Sequence, residues 1–281
     1  SLVIDTRDEI HVVWEGLTNN RRGLYYIKLD NDGTNLTPNI QLTPGLSRSD
    51  APDLAIDQNN NLHDTWTDTR DLDYELYYKK VDNTGNNLTG DIRLTFDHNI
   101  ISAYGSITTD FTGNIHIVWS SLEPGTGYGD LFYIKLDNNG NNLTSPTRLT
   151  FYPGAAKDNT QIAADSIGNI HAVWDDSRSG HDEVYYIHLN NNGLNLTADQ
   201  MIATSIVGSG SPSIDIDKQN NIHIAWVDRK YGNAEIHYLK MNNQGIRLLD
   251  EIRLTNTPHG EIYPSLGLDI YGNVYLSYTD N

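Results

Sequence analysis

The sequence predicts an all-β fold, a β-propeller of four-stranded antiparallel blades, and three observations carry that prediction. A short frame, IHVVW in its first form, ends at Trp14, Trp66, Trp119, Trp174 and Trp226, with VYLSY ending at Tyr278, so it recurs every 52 to 55 residues of the 281. Each repeat holds short alternating segments rich in aromatic and β-branched residues, bounded by Asn, Gly and Asp, and no long helical period competes with them. Radial repetition of small antiparallel sheets is also how an all-β chain of this period protects its strand edges.

The elements follow in order within each repeat. The first strand is a stretch such as PSIDID at 212–217, the second NIHIAW at 221–226, the third ELYYKKV at 75–81, and the fourth ends in RLT at Arg93, Arg148 and Arg253. Asp5, Asp57, Asp110, Asp165, Asp217 and Asp269 open the turn between strands one and two, where an Asp side chain accepts backbone N–H bonds and Gly or Asn takes a positive φ. A second turn of the form DNNGNNL, at 137–143, joins strands three and four. The whole chain, 1–281, reads as one propeller domain with repeats at 1–48, 49–100, 101–156, 157–208 and 209–260 and a partial repeat at 261–281. Six blade positions with the last incomplete are favoured over five, because a dangling hairpin would leave LGLDI uncovered at about 25 cal/mol per Å² of apolar area. The chain opens inside a repeat without an initiator Met, so it is expected to be a piece of a longer polypeptide.

Composition excludes several classes. A formal net charge of −18 repels phosphate backbones and anionic bilayer surfaces, so nucleic acid is not expected, and with no run of 18 apolar residues to span a bilayer neither is membrane insertion. With no cysteine, disulfides, thiolate zinc sites and cysteine nucleophiles are out of reach.

The pattern PSIDIDKQNNIHIAWVDRK, then EIHYLKM, then RLT resembles the sialidase-like, BNR or Asp-box repeat propellers over essentially the whole chain. Gly33, Gly85, Gly140, Gly193 and Gly245 match the glycine of the Asp-box, and Leu36, Leu88, Leu143, Leu196 and Leu248 stand where its Trp would be; its Ser and the spacing of its Asp are not kept. The resemblance implies, for an active sialidase, three clustered arginines, a Tyr–Glu nucleophile pair, an acid Asp and an early Phe-Arg segment. No Phe-Arg segment exists, and most arginines occupy repeated positions. No catalytic residue is therefore assigned.

His11, His63, His116, His171 and His223, and the five tryptophans, are expected to be scaffold: equivalent positions in successive blades lie around a ring, whereas metal ligands must converge on one ion. The W-x-D-x-(R/K) extensions, Asp68 with Arg70, Asp176 with Arg178, and Asp228 with Lys230, read either as ligand contacts or as ion pairs joining loops. No metal or cofactor is expected; calcium is the one ion the Asp-x-x-Gly turns suggest, though each offers one carboxylate where calcium takes six or more oxygens. Asn35, Asn87, Asn142 and Asn195 head Asn-Leu-Thr sequons, which are glycosylation acceptors or a by-product of duplication.

The stretches that do not repeat, at 96–105, 123–130, 151–159, 228–235 and 257–264, carry the candidate ligand contacts Tyr104, Tyr128, Phe151, Tyr152, Tyr231 and Tyr263. The leading expectation is a noncatalytic module of a secreted or cell-surface protein that binds carbohydrate or protein, or acts as a spacer. A propeller-fold glycoside hydrolase or lyase is the alternative. An architectural unit of a surface layer or filament, self-assembling through its incomplete sixth repeat, is another.

Overall fold

A computed structural model describes residues 1–18, 21–44, 47–96, 100–152, 154–203 and 205–280. Every regular element among them is a strand. The first repeat gives β1 (Leu2–Ile4), β2 (Ile10–Thr18), β3 (Arg21–Leu29) and β4 (Ile40–Gln41), and the second β5 (Ser49–Ile56), β6 (Leu62–Asp68), β7 (Glu75–Val81) and β8 (Ile92–Arg93). The third gives β9 (Ile101–Thr109), β10 (Ile115–Leu122), β11 (Gly129–Leu136) and β12 (Thr147–Arg148), and the fourth β13 (Lys157–Ala164), β14 (Ile170–Asp176), β15 (Glu183–Leu189) and β16 (Gln200–Met201). The fifth gives β17 (Ser209–Ile216), β18 (Ile222–Asp228), β19 (Glu235–Met241) and β20 (Arg247–Arg253), and the sixth β21 (Glu261–Leu268) and β22 (Val274–Asp280). Each of the first five repeats pairs its strands in chain order as one four-stranded antiparallel sheet, and the sixth forms a two-stranded sheet.

Local chemistry sets the turns. In the first turn of the second repeat, Asp57 Oδ1 accepts the backbone N–H groups of Asn59 and Asn61 at 2.8 and 2.9 Å. In the second turn, Asp82 Oδ1 does the same for Thr84 and Asn86. The threonine of each sequon accepts a bond from the end of strand three, as Thr37 Oγ1 does from Lys28 N–H at 3.0 Å and Thr144 Oγ1 from Lys135 N–H at 3.0 Å. The recurring Asn-Leu-Thr therefore has a structural reason of its own, and its four asparagines are exposed.

Strand one of repeats two to six carries a bulge at the same place. Asp50 pairs with Thr67 and Asp53 with Thr65, so residues 51–52 face the single Trp66. Ala51, Tyr104, Asn159, Ser211 and Tyr263 are the first bulged residues, all with φ between 49° and 55°. A two-against-one bulge bends the strand and re-aims its side chains, and Pro52, Pro212 and Pro264 fit its second position, which lies off the regular ladder.

The chain divides into two compact units, Ser1–Gly127 with Leu131–Arg148, and Tyr128–Asp130 with Leu149–Asn281. In the first unit, Val13, Leu24 and Tyr26 pack on Leu54, Leu62 and Trp66, and Leu76 and Tyr78 pack on Ile107, Ile115 and Ile134. In the second, Val173, Val184 and Tyr186 pack on Ile214, Ile224 and Trp226, and Ala225, Val227 and Ile236 meet Leu266 and Leu276. The second-turn glycine seals these faces: a Cβ on Gly140 would come within 2.6 Å of Ile92 and 2.7 Å of Tyr78 in the preceding repeat, and one on Gly85 within 2.7 Å of Tyr26.

Candidate active site

The five repeated histidines are buried, and each Nδ1 meets the hydroxyl of a strand-three tyrosine at 2.7–2.8 Å. Nε2 of His63, His116 and His223 faces the turn aspartate, Asp57, Asp110 or Asp217, at 3.2–3.4 Å. Trp66, Trp119, Trp174 and Trp226 are buried and Trp14 half-buried, each opposing strand three.

Asp68, Asp176 and Asp228 are fully buried. Asp68 Oδ2 accepts Trp66 Nε1–H at 3.0 Å and Arg70 Nη2–H at 2.7 Å, while Arg70 also reaches Asp91. Burial pushes the Asp68 carboxyl up, but bonds from Arg70, Ser47 and Trp66 outweigh it and hold the group down at about 2. Arg178 repeats the clamp between Asp176 and Asp199 and lies 3.6 Å and 4.2 Å from the ring centroids of Tyr152 and Tyr185. Lys230 does so between Asp228 and Glu251. These charges are compensated within their own sheets.

Of the predicted aromatic contacts, Tyr104, Tyr128, Phe151, Tyr152, Tyr231 and Tyr263 are all exposed. Tyr104 and Tyr263 are bulge residues with φ of 55° and 54°. Tyr231 lies against Arg253, 4.7 Å from its guanidinium carbon, and stacks on His237. Residues 97–99 and 153, within two of the predicted loops, lie outside the described residues.

The sequence reading missed the position after each frame tryptophan. It is Glu15, Thr67, Ser120, Asp175, Val227 and Thr279 in turn, so a carboxylate appears there in two repeats. Asp175 is 7% exposed. Its Oδ2 accepts Asn159 Nδ2–H at 2.7 Å and the Ser211 backbone N–H at 3.1 Å, both supplied by bulge residues, and its Oδ1 is buried without a partner. A Cβ on Gly210 would stand 2.9 Å from Oδ2, so glycine there is what lets the neighbouring strand approach. Burial raises the Asp175 carboxyl to about 7; the two hydrogen bonds oppose this, and Asp182 and Asp158 add to it. Asp158, its cross-strand partner, is itself raised by burial and by Asp182. A buried acid raised toward neutrality, beneath exposed Asn159 and Asp182, is the kind of group found at functional sites. Glu15, in the other unit, is also raised, by burial and Asp50, but is engaged by Arg22.

Four further features stand out. Asp64 is buried where other repeats carry Val12, Ile117, Ala172, Ile224 and Leu276; neither oxygen has a hydrogen-bond partner, and burial raises its carboxyl well above the ordinary range. A cavity of about 400 Å³ between the first and second sheets is lined by Leu42, Lys79 and Asp91, whose charges meet at 2.7 Å. Asp165, His171 and His188 form a buried group with ligand atoms within 4.8 Å of one another; Asp228, His237 and a half-buried Glu251 lie as close, but there the Lys230 ammonium already pairs with Glu251. Burial and His171 pull His188 down to about 4.

No protein-family model matches the chain, and no curated protein matches it. Solved structures do. A Dyadobacter fermentans protein of unknown function aligns with TM-score 0.74 at 13% identity, over 100% of this chain and 89% of its own. An α-L-arabinofuranosidase of Fusarium graminearum aligns at 0.66 and 11% identity over 100% and 91%, and an ulvan lyase at 0.62 and 12% over 94% and 70%. The expectation of a noncatalytic binding or spacing module is thereby corrected: the last two of these neighbours are enzymes, an α-L-arabinofuranosidase and a polysaccharide lyase. What the likeness shows for this chain is the fold of propeller proteins.

Proposed function

We propose that the chain is a propeller-fold glycoside hydrolase acting on neutral polysaccharide, with Asp175 as the group that moves the proton. The observation that carries this reading is the Asp175 carboxyl, buried, raised to about 7 and bonded only through neutral donors on its Oδ2. Glycoside hydrolysis needs one carboxyl that stays protonated near neutral pH to donate to the leaving oxygen, and a second carboxylate to assist attack at the sugar carbon. Asp175 fits the first role, and Asp182 and Asp158 are the carboxyl groups within electrostatic reach for the second. Asn159, exposed and bonded to Asp175, is placed to hand its amide to a sugar hydroxyl. The arabinofuranosidase and lyase neighbours support the class by analogy of fold.

Charge selects between them. A chain of net charge −18, with three carboxyl groups at the site, repels polyuronates, which a lyase must bind as anions. We take each four-stranded sheet as a blade, the sixth repeat as an incomplete one, the family-level likeness to sialidase-like propellers as resting more on the strand-one and strand-two pattern than on the degenerate turn boxes, and the site of action as outside the cell, where polymeric glycans are.

The test is incubation with a panel of neutral and uronate polysaccharides, reading reducing ends and the ultraviolet absorbance of unsaturated uronates. Reducing ends from a neutral polymer, lost in a folded Asp175→Asn variant, are expected. Unsaturated uronate products, or activity that survives Asp175→Asn, would overturn the assignment.

A further inference from the structure

Four of the five complete repeats carry a lysine at the same position of strand three, Lys28, Lys80, Lys135 and Lys240, and Lys28, Lys80 and Lys240 pair in register with the frame histidine. Their ammonium groups lie 4.0, 3.8, 3.8 and 2.9 Å from the turn aspartates Asp5, Asp57, Asp110 and Asp217. Each buried turn carboxylate thus has a fixed cation beside it. The fourth repeat breaks the rule: His188 stands in the lysine position, paired in register with His171.

The consequence is a buried group with lone pairs and no cation. The His171 and His188 rings stack with centroids 4.3 Å apart and planes at 13°. Both residues are more than nine-tenths buried, and Nε2 of each lacks a hydrogen-bond partner. Asp165 Oδ2 lies 3.7 Å from His171 Nε2, beyond hydrogen-bond reach and farther than the 3.2–3.4 Å found for His11, His63, His116 and His223. The carboxylate is held by Ile167 and Asn169 N–H bonds on Oδ1 and by Asn169 Nδ2 on Oδ2, and His171 is held through Nδ1 by the Tyr186 hydroxyl at 2.7 Å.

We propose that Asp165, His171 and His188 bind one divalent transition-metal ion of the zinc class, which takes the place of the lysine ammonium of the other repeats. Two imidazole nitrogens and one carboxylate oxygen suit zinc, at ligand distances of about 2.0–2.2 Å with a fourth position left for water. Ligand atoms already lie within 4.8 Å of one another, and because a metal sits near the plane of each imidazole it binds, binding turns the His188 ring out of its stack on His171, where Tyr186 holds the His171 ring. With metal on Nε2, His171 Nδ1–H donates to Tyr186, the outer bond that orients a metal-bound histidine. Tying the turn after β13 to β15, the ion restores the charge balance that His188 removed.

The untagged chain, stripped with chelator and dialysed against zinc chloride, is analysed for metal by mass spectrometry and for thermal stability. About one zinc per chain and a raised Tm are expected, both abolished in His188→Lys, which installs the residue used by the sibling repeats. Cobalt(II) gives a readout that needs no variant: visible d–d bands of a low-coordinate nitrogen and oxygen site are expected at one equivalent. Absence of stoichiometric zinc and of those bands, or zinc bound equally by His188→Lys, would overturn the proposal, whatever the hydrolase assays show.

Discussion

His63 Nδ1 lies 2.8 Å from the hydroxyl of Tyr78, and the pair is sealed inside the second repeat. Because the Asp57 carboxylate beyond Nε2 can only accept, Nε2 carries the imidazole proton and Nδ1 accepts from Tyr78 O–H. Burial lowers the affinity of His63 for a second proton, so this tautomer is neutral. Tyr78→Phe leaves a buried acceptor bare and is expected to cost about 1–3 kcal/mol by denaturant unfolding, with near-native circular dichroism.

The second-turn glycines separate conformational from packing cost. Gly33 and Gly140 both have positive φ, 81° and 83°, but a Cβ on Gly33 meets nothing within 4 Å while one on Gly140 strikes Ile92 and Tyr78. Gly33→Ala should lose about 1 kcal/mol for the left-handed backbone alone. Gly140→Ala should lose that plus about 1–3 kcal/mol of overpacking, giving a clearly lower Tm.

Asp175 predicts a pH dependence. Its folded pKa is raised from 3.8 to about 7, so the native state holds the proton more tightly than the unfolded chain. The resulting stability is fully present below about 4 and is lost as pH rises through 7. Full linkage is on the order of 4 kcal/mol. Wild type minus Asp175→Asn, measured by urea unfolding across this window, should therefore decline with pH; a flat difference would remove the elevated acid.

Asp64 is a core acid with no hydrogen-bond partner on either oxygen, and Lys79 opposite it is already held by Asp91 and the Leu42 carbonyl. Asp64→Ile restores the apolar residue of the third and fifth repeats and should stabilise the chain by about 1–3 kcal/mol. Because burial raises the Asp64 carboxyl, its protonated form is the one the fold tolerates, so the gain should grow as pH rises from the unfolded-chain value toward the folded one and level off above it.

The period, the order of strands and both aspartate turns were legible in the sequence because each is written five or six times. Repetition averages out the ambiguity of short apolar runs: NIHIAW alone could be strand or buried helix, but its recurrence between Asp turns could not. The bulge was not legible, since Ala51, Tyr104, Asn159, Ser211 and Tyr263 share no side-chain chemistry and what unites them is φ. Asp175, His188 and Asp64 were missed for the opposite reason. They are exceptions to the pattern, and a search for what repeats passes over a single substituted column; aligning the repeats and asking where charge changes would have shown all three.

The close fit of a turn glycine against a tyrosine has a direction. Gly85 meets Tyr26, Gly140 meets Tyr78 and Gly245 approaches Tyr186, so in these three pairs the socket belongs to the earlier repeat and the plug to the later one. As a nascent chain leaves the ribosome, each of these sockets is synthesised before its plug, and each new sheet in a unit is templated by one that has already emerged. Within each unit, these sockets and plugs can therefore close in the order in which the chain is made.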